Sequence, residues 1–175
     1  MKIALIFLLL VSSACFAKEL VFVSALGSKV YFAPPDTTLW GLEKNEMSET
    51  GKYIVEFVHV PVQDSIGREI QPVVAFIIES VEDSCDVIVY SIRKRSQTPF
   101  KVEKVLSYED GHFSYPNAIG YEGSYTKGEI THRVIIAHMR QGSIGLQVIC
   151  DSTEGIYHQV ESDMRTFIYS IGIDQ

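Results

Sequence analysis

Several patterns that announce a chemistry are missing from this chain. Its three cysteines form no C-x-x-C pair, and its five histidines (His59, His112, His132, His138, His158) form neither H-x-x-x-H nor H-E-x-x-H. That removes the short-range signatures of a redox dithiol and of a helical zinc site. No serine sits in a G-x-S-x-G elbow, so the strained strand-to-helix turn that presents a hydrolase nucleophile is not signalled. There is no internal repeat, since the three Ser-Ile-Gly triplets at Ser65, Ser143 and Ser170 have unrelated flanks, and no low-complexity linker divides the chain. Positive charge is also short. The formal charge is −7, which disfavours nucleic acid as a partner because the phosphate backbone demands a basic surface. Anionic membrane surfaces are disfavoured on the same ground.

Apolar runs are short everywhere except at the start. In MKIALIFLLLVSSACFAKEL, Lys2 precedes an apolar run from Ile3 to Val11 and then small residues. This is the order of a secretory signal peptide of bacterial style, too short for a permanent span, which needs about 20 apolar residues. Cys15 and Ala17 supply the small residues before a cleavage site, so the mature chain begins at Lys18 and residues 18–175 make one domain. A lipoprotein reading, with Cys15 lipidated, lacks the usual aliphatic residue because Ser12 stands there. On either reading the protein is exported, to the periplasm or beyond. Cys85 and Cys150 then remain, and an even number in an oxidising compartment suggests one disulfide. Two buried free thiols are the alternative.

The clearest local unit is HRVIIAHMRQ and IGLQVIC around Gly142-Ser143, which reads as a tight hairpin. Pairing Gln141 with Ile144 sets Met139 opposite Leu146, Ala137 opposite Val148 and Ile135 opposite Cys150, an apolar face. The other face sets His138 by Gln147, Ile136 by Ile149 and Val134 by Asp151. It is mixed, which predicts partial cover on that side too. Tyr157, Val160, Met164, Phe167, Ile168 and Ile171 recur at helical spacing, with Ser152 or Thr153 as cap and Gly172 at the end. In EDSCDVIVYSIRKRS, Cys85, Ile88, Val89 and Ile92 share a helix face, while VIVYSI also reads as a strand. Strands are predicted at 29–33, 53–60, 73–80, 101–108 and 118–126, with a turn at 126–129. The fold class is α+β, an antiparallel sheet with helices packed on it as an αβα sandwich.

The order of these elements, with GYEGSY, HRVIIAHMRQGSIGLQVIC, DSTEGIY and FVHVPVQDSIGREIQPVVAFI, resembles the PsbP/DcrB-like families. Those are small, often exported αβα sandwiches. The resemblance covers most of the chain beyond residue 17. It implies an accessory or binding domain without catalysis, as in photosystem II accessory subunits and cell-envelope proteins of ill-defined role. It assigns no site residue. LWGLEKNEMSETG fits least and reads as a loop.

Two stretches are candidate binding surfaces. HVPVQDSIGREIQP brings His59, Asp64, Ser65 and Arg68 close in sequence. Asp64-Ser65-Ile66-Gly67 has turn chemistry, and nearness in sequence does not supply a nucleophile–base–acid geometry. His59, Asp64 and Arg68 stand as a candidate polar patch. EDGHFSYPNAIGYEGSY offers Tyr115, Tyr121 and Tyr125 beside flexible turns, each with apolar area and a polar tip. RKRSQTPFK is a local basic patch suited to an acidic partner or to a solvated helix end. His132 and His138 lie six residues apart on one strand face, roughly 20 Å, too far to share an ion. The sequence therefore predicts a non-catalytic protein of the cell envelope or extracellular space, with no cofactor or metal and with a protein partner. A small secreted hydrolase and a metal-carrying protein are the alternatives.

Overall fold

The computed structural model describes residues 21–82 and 84–174. The expected leader, its expected cleavage after Ala17 and Cys15 lie outside the described residues. Twelve strands and two helices follow one another: β1 (Val21–Ala25), β2 (Ser28–Phe32), β3 (Trp40–Met47), β4 (Tyr53–His59), β5 (Val62–Gln63), β6 (Glu69–Ile70), β7 (Val73–Ser80), α1 (Val87–Arg95), β8 (Lys101–Ser107), β9 (Ala118–Lys127), β10 (Ile130–Gln141), β11 (Ile144–Thr153), α2 (Glu154–Tyr169) and β12 (Gly172–Asp174). Seven of the strands form one antiparallel sheet in the order β3-β4-β7-β11-β10-β9-β8, and β1-β2-β12 form a second.

The central hairpin has the register its sequence predicts, Gln141 opposite Ile144 through Ile135 opposite Cys150. Because side chains alternate along a strand, this register settles both faces. One carries Val74, Phe76, Ile78, Ile135, Ala137, Met139, Leu146, Val148 and Cys150, all buried. Helix α2 lays Ile156, Val160, Met164, Phe167 and Ile168 on it. The small sheet covers the rest, with Phe32 stacked on Phe76 at 4.2 Å between ring centroids. Phe57 and Trp40 close on Phe167 at 5.4 and 5.3 Å. Burying side chains of this size contributes about 1.5–3 kcal/mol each, so this layer holds most of the hydrophobic stabilisation.

The opposite face is covered differently, and the expected αβα sandwich is met only in part. The structure is an antiparallel β-rich α+β fold in which one face carries a mixed layer, α2 with the three-stranded sheet. The other carries the nine-residue α1 and, at one side, the short β5–β6 hairpin. Asp86 caps α1, its Oδ1 accepting from the Val89 N–H at 2.7 Å. Tyr90 and Ser91 are its buried residues. The Tyr90 hydroxyl donates to Glu79 at 2.8 Å, and Lys94 forms an ion pair with the same carboxylate. Burial pushes the Glu79 carboxyl upward, but the Lys94 and Tyr90 hydrogen bonds outweigh it and hold the group below its ordinary range. Ser91 Oγ lies 2.9 Å from His138 Nδ1 and 2.8 Å from the Tyr121 hydroxyl. The helix thus sits on polar contacts. Its aliphatic residues Ile88, Val89 and Ile92, which spacing alone would turn inward, face outward.

Other differences from the sequence reading have local causes. LWGLEKNEMSETG is an edge strand, β3, and its turn; after Trp40 every residue of β3 is exposed, so no apolar alternation marks it. Thr153 occupies the N-cap of α2, but its side chain makes no capping bond. Gly172 belongs to β12 and pairs with Tyr31, and the helix ends earlier at Ser170. The expected Cys85–Cys150 disulfide is absent. Both are buried free thiols. Cys150 lies under α2, near the Met164 carbonyl, and Cys85 precedes α1 on the opposite side of the sheet. A bridge requires Cα atoms within about 7 Å, and the sheet stands between them.

Candidate functional site

Helix α1 covers one end of its face, over Tyr121 and His138, and leaves the other end open. Along the open part, Val73, Ala75 and Ile149 are half-buried while their neighbours Val74, Phe76 and Val148 are buried. Two adjoining hollows lie there, of about 340 and 130 Å³. Both reach Tyr125, Ile149 and Asp151. Val134 and Ile136 continue the floor, Pro99 and Phe100 wall one side, and Ile70 of the β5–β6 hairpin walls the other. The result is an apolar trough, half-buried along Val73, Ala75 and Ile149 and covered at Val134 and Ile136.

A polar cluster stands at one end of the trough. Register brings it together: β9 and β10 pair Tyr125 with His132, and β10 and β11 pair Val134 with Asp151. All three polar side chains leave the same face. Tyr125 donates its hydroxyl to Asp151 Oδ2 at 2.5 Å, and His132 Nδ1 lies 2.7 Å from Oδ1. The Tyr125 and His132 rings stack at 4.7 Å with 18° between planes. Burial first, and then the Asp151 carboxylate, push the Tyr125 hydroxyl well above its ordinary pKa, so it remains a donor. Asp151 thereby fixes two aromatic rings in place. The cluster holds no activated nucleophile, because its one hydroxyl is committed to a carboxylate. What it offers is a rigid hydrogen-bonding station beside apolar surface, with Lys127 at the rim.

The candidates read from sequence separate in space. His59 is buried on the α2 face, with Nδ1 2.6 Å from the Val60 carbonyl oxygen and its ring edge-on to Trp40. Asp64 and Arg68 form their own ion pair at 2.8 Å across the β5–β6 turn. Asp64 Oδ1 also accepts from the backbone N–H groups of Ile66 and Arg68, and Gly67 takes φ of +81°. Backbone and side-chain bonds from Arg68 hold the Asp64 carboxyl below its ordinary range. The stretch that groups these residues in sequence is thus a turn, whose members bond locally. Tyr115 ties its loop to β10, donating to the Arg140 carbonyl at 3.0 Å. Tyr121 is buried under α1. Only Tyr125 opens on the trough. Its partners Asp151 and His132 were not singled out together, and the signal was available: the hairpin register sets them on one face.

The described residues contain one Ser–His contact, Ser91 with His138, and both side chains have 0% exposure. Burial, reinforced by Lys94, lowers the His138 pKa to about 4. A second hollow, about 500 Å³, opens on the α2 side beside Leu106, His112, Arg165 and Tyr169. Its Arg165 is already paired with Glu122 and Glu161. Among the described residues no group of three or more histidine, cysteine or acidic side chains is placed to hold a metal ion. No helix of the described residues is long and apolar enough to cross a membrane.

No family model and no curated protein matches this chain by sequence. Solved structures share its fold. LpqN of Mycobacterium tuberculosis, described as involved in cell envelope biogenesis, superposes with a TM-score of 0.54 at 14% identity, over 90% of this chain and 91% of that one. PA94 of Pseudomonas aeruginosa, a protein of unknown function, gives 0.50 at 9% identity, over 82% of this chain and 89% of the other. At these identities the likeness is one of fold.

Proposed function

We propose that this is an exported accessory or binding protein of the cell envelope, that it performs no catalysis, and that it binds through the open trough. The observation that carries the reading is the Tyr125–Asp151–His132 cluster set at one end of a half-buried apolar floor. The half-buried aliphatic surface at Val73, Ala75 and Ile149 offers an occupant apolar contact, and the cluster gives it a fixed polar anchor. The envelope setting draws support from the fold shared with LpqN and from the leader sequence. Membership of the PsbP/DcrB-like group draws support from an antiparallel sheet whose last hairpin leads into the final helix, α2. Absence of catalysis draws support from the sealed Ser91–His138 pair, which no substrate can reach without lifting α1.

Capture from the organism's own envelope fraction tests the proposal, using the chain from Lys18 and an Ile149→Glu/Asp151→Ala variant of verified fold. A partner retained by the first and lost by the second is expected. If both retain the same proteins, the trough is not the binding site. Turnover of simple esters by the chain, lost in Ser91→Ala, would replace this proposal with a hydrolase.

A further inference from the structure

Helix α1 is amphipathic in the inverted sense. Its polar residues Tyr90, Ser91 and Lys94 face the sheet, and its aliphatic residues face solvent. Ile88 is 56% exposed, Val89 39% and Ile92 61%. At about 100° per residue, these three fall within one stripe, bordered by Arg95 on one side and Arg93 on the other. Arg93 is exposed, and the Glu82 carboxylate is 4.0 Å away on the surface. The Arg95 guanidinium lies 5.3 Å from the Tyr121 ring, which engages one of its faces. Beyond the helix the chain continues through Pro99, Phe100 and Lys101. A shallow hollow of about 440 Å³, lined by Ile92, Arg95, Ser96, Thr98, Pro99 and Phe100, lies beside the stripe.

We propose that this convex stripe docks the protein on a bilayer surface that carries anionic phospholipid. Aliphatic side chains enter the boundary of the acyl region, and the flanking guanidiniums reach lipid phosphates with their stems along apolar surface. The chemistry favours lipid over a protein partner. Of the residues enriched in protein interfaces (Tyr, Trp, Phe, Met and Arg), the stripe itself holds none, and only its borders carry Arg. Charge favours it as well. The chain carries −7 overall, yet from Val87 to Lys101 its only charged residues are Arg93, Lys94, Arg95 and Lys101. An anionic surface repels the body and attracts this tip, which orients the molecule. Glu82, Asp83 and Asp86 precede α1 in the sequence and Lys94 is turned inward onto Glu79, so the attraction rests on Arg93, Arg95 and Lys101 and the contact leans toward the Ile92–Phe100 end. The proposal is independent of what occupies the trough.

Vesicle co-sedimentation tests it, with the chain from Lys18, which contains every element of the fold. The probes are vesicles of phosphatidylcholine alone and of phosphatidylcholine with phosphatidylglycerol. Binding to the second kind is expected to be tighter by about tenfold or more, and to weaken as salt rises from about 0.05 to 0.5 M. Ile88→Ser/Ile92→Ser lowers it by about tenfold. Arg93→Gln/Arg95→Gln removes the preference for phosphatidylglycerol. An Ile92→Trp variant gives a readout free of any folding defect in the double variants: its emission shifts to the blue on phosphatidylglycerol vesicles. Equal affinity for both vesicles, or no shift of that emission, overturns the proposal. So does a solution dimer, or a captured protein, that Ile88→Ser/Ile92→Ser abolishes while vesicles are ignored; the stripe would then belong to a second copy or to that protein.

Discussion

His138 Nδ1 lies 2.9 Å from Ser91 Oγ, and that contact joins α1 to the central strand β10. The ring's other nitrogen, Nε2, is buried with no hydrogen-bond partner. A neutral imidazole tolerates this arrangement. A protonated one would place an N–H bearing positive charge against apolar surroundings, with the Lys94 ammonium among its neighbours.

Acid should therefore loosen the α1 side first. Burial lowers the His138 pKa from 6.5 to about 4, so between those values the unfolded chain binds a proton that the folded chain refuses. Stability from this source is full above pH 6.5 and is lost as pH falls toward 4, on the order of 3 kcal/mol in all. Urea unfolding from pH 7 to pH 4 is expected to show this slope. In His138→Gln the slope should flatten over that window; a wild-type slope in the variant would mean that another group is responsible.

Cysteine chemistry gives a direct test of the sheet's two sides. Cys150 is fully buried under α2 and burial pushes its thiol far above the usual range. Cys85 lies across the sheet. The chain from Lys18 should show two thiols by reagent titration in denaturant without reductant, and Cys150 should be silent while folded. An electrophoretic shift on reduction would contradict the fold described here.

The parts of this fold legible in sequence are those where local pattern and burial agree. The β10–β11 register follows from a two-residue turn and an apolar face, and α2 follows from its spacing; both are central. Pattern misled where an element is exposed. The exposed charges of β3 hide a strand at the sheet's edge. In α1 the apolar spacing marks a real helix face but not its orientation. Tyr90, Ser91 and Lys94 find polar partners at Glu79, Tyr121 and His138, and no local rule places those partners. Of the trough, Tyr125 was visible as one of several tyrosines, whereas its selection over Tyr115 and Tyr121 needed the path of the chain after β8. The His59–Asp64–Arg68 grouping shows the converse, since Asp64 and Arg68 spend their hydrogen bonds closing a turn.

Gly123 of β9 faces the backbone of Lys101 in the edge strand β8 with no room for a side chain. A Cβ there would lie 2.0 Å from the backbone oxygen of Lys101, and the register of β8 shifts just beyond, between Val102 and Lys104. Backbone cannot rotate away as a side chain can. Gly123→Ala should cost about 2 kcal/mol or more and lower the melting temperature. Amide exchange should quicken along Lys101–Ser107 before it does in β10. A variant as stable as the parent would show that the two strands stand further apart.

Glu122 is the acidic hub of the α2 side. Its carboxylate meets Arg165 at 2.8 Å and Arg133 at 3.4 Å, and it accepts from the Tyr157 hydroxyl at 3.3 Å. Burial raises its pKa, but the Arg165 hydrogen bond and the two guanidinium charges outweigh that and hold it below the ordinary carboxylate range. Its contribution is thus present above about pH 4.5 and is lost as pH falls through the lowered folded value, an interval more acidic than that of His138. Glu122→Gln keeps the shape and removes the charge. Arg133 retains Glu103 and Arg165 retains Glu161, so the loss at neutral pH should be modest, about 1–2 kcal/mol. The variant should be nearer to the parent in stability at pH 3 than at pH 7. An equal gap at both values would show that Glu122 acts through packing and not through its charge.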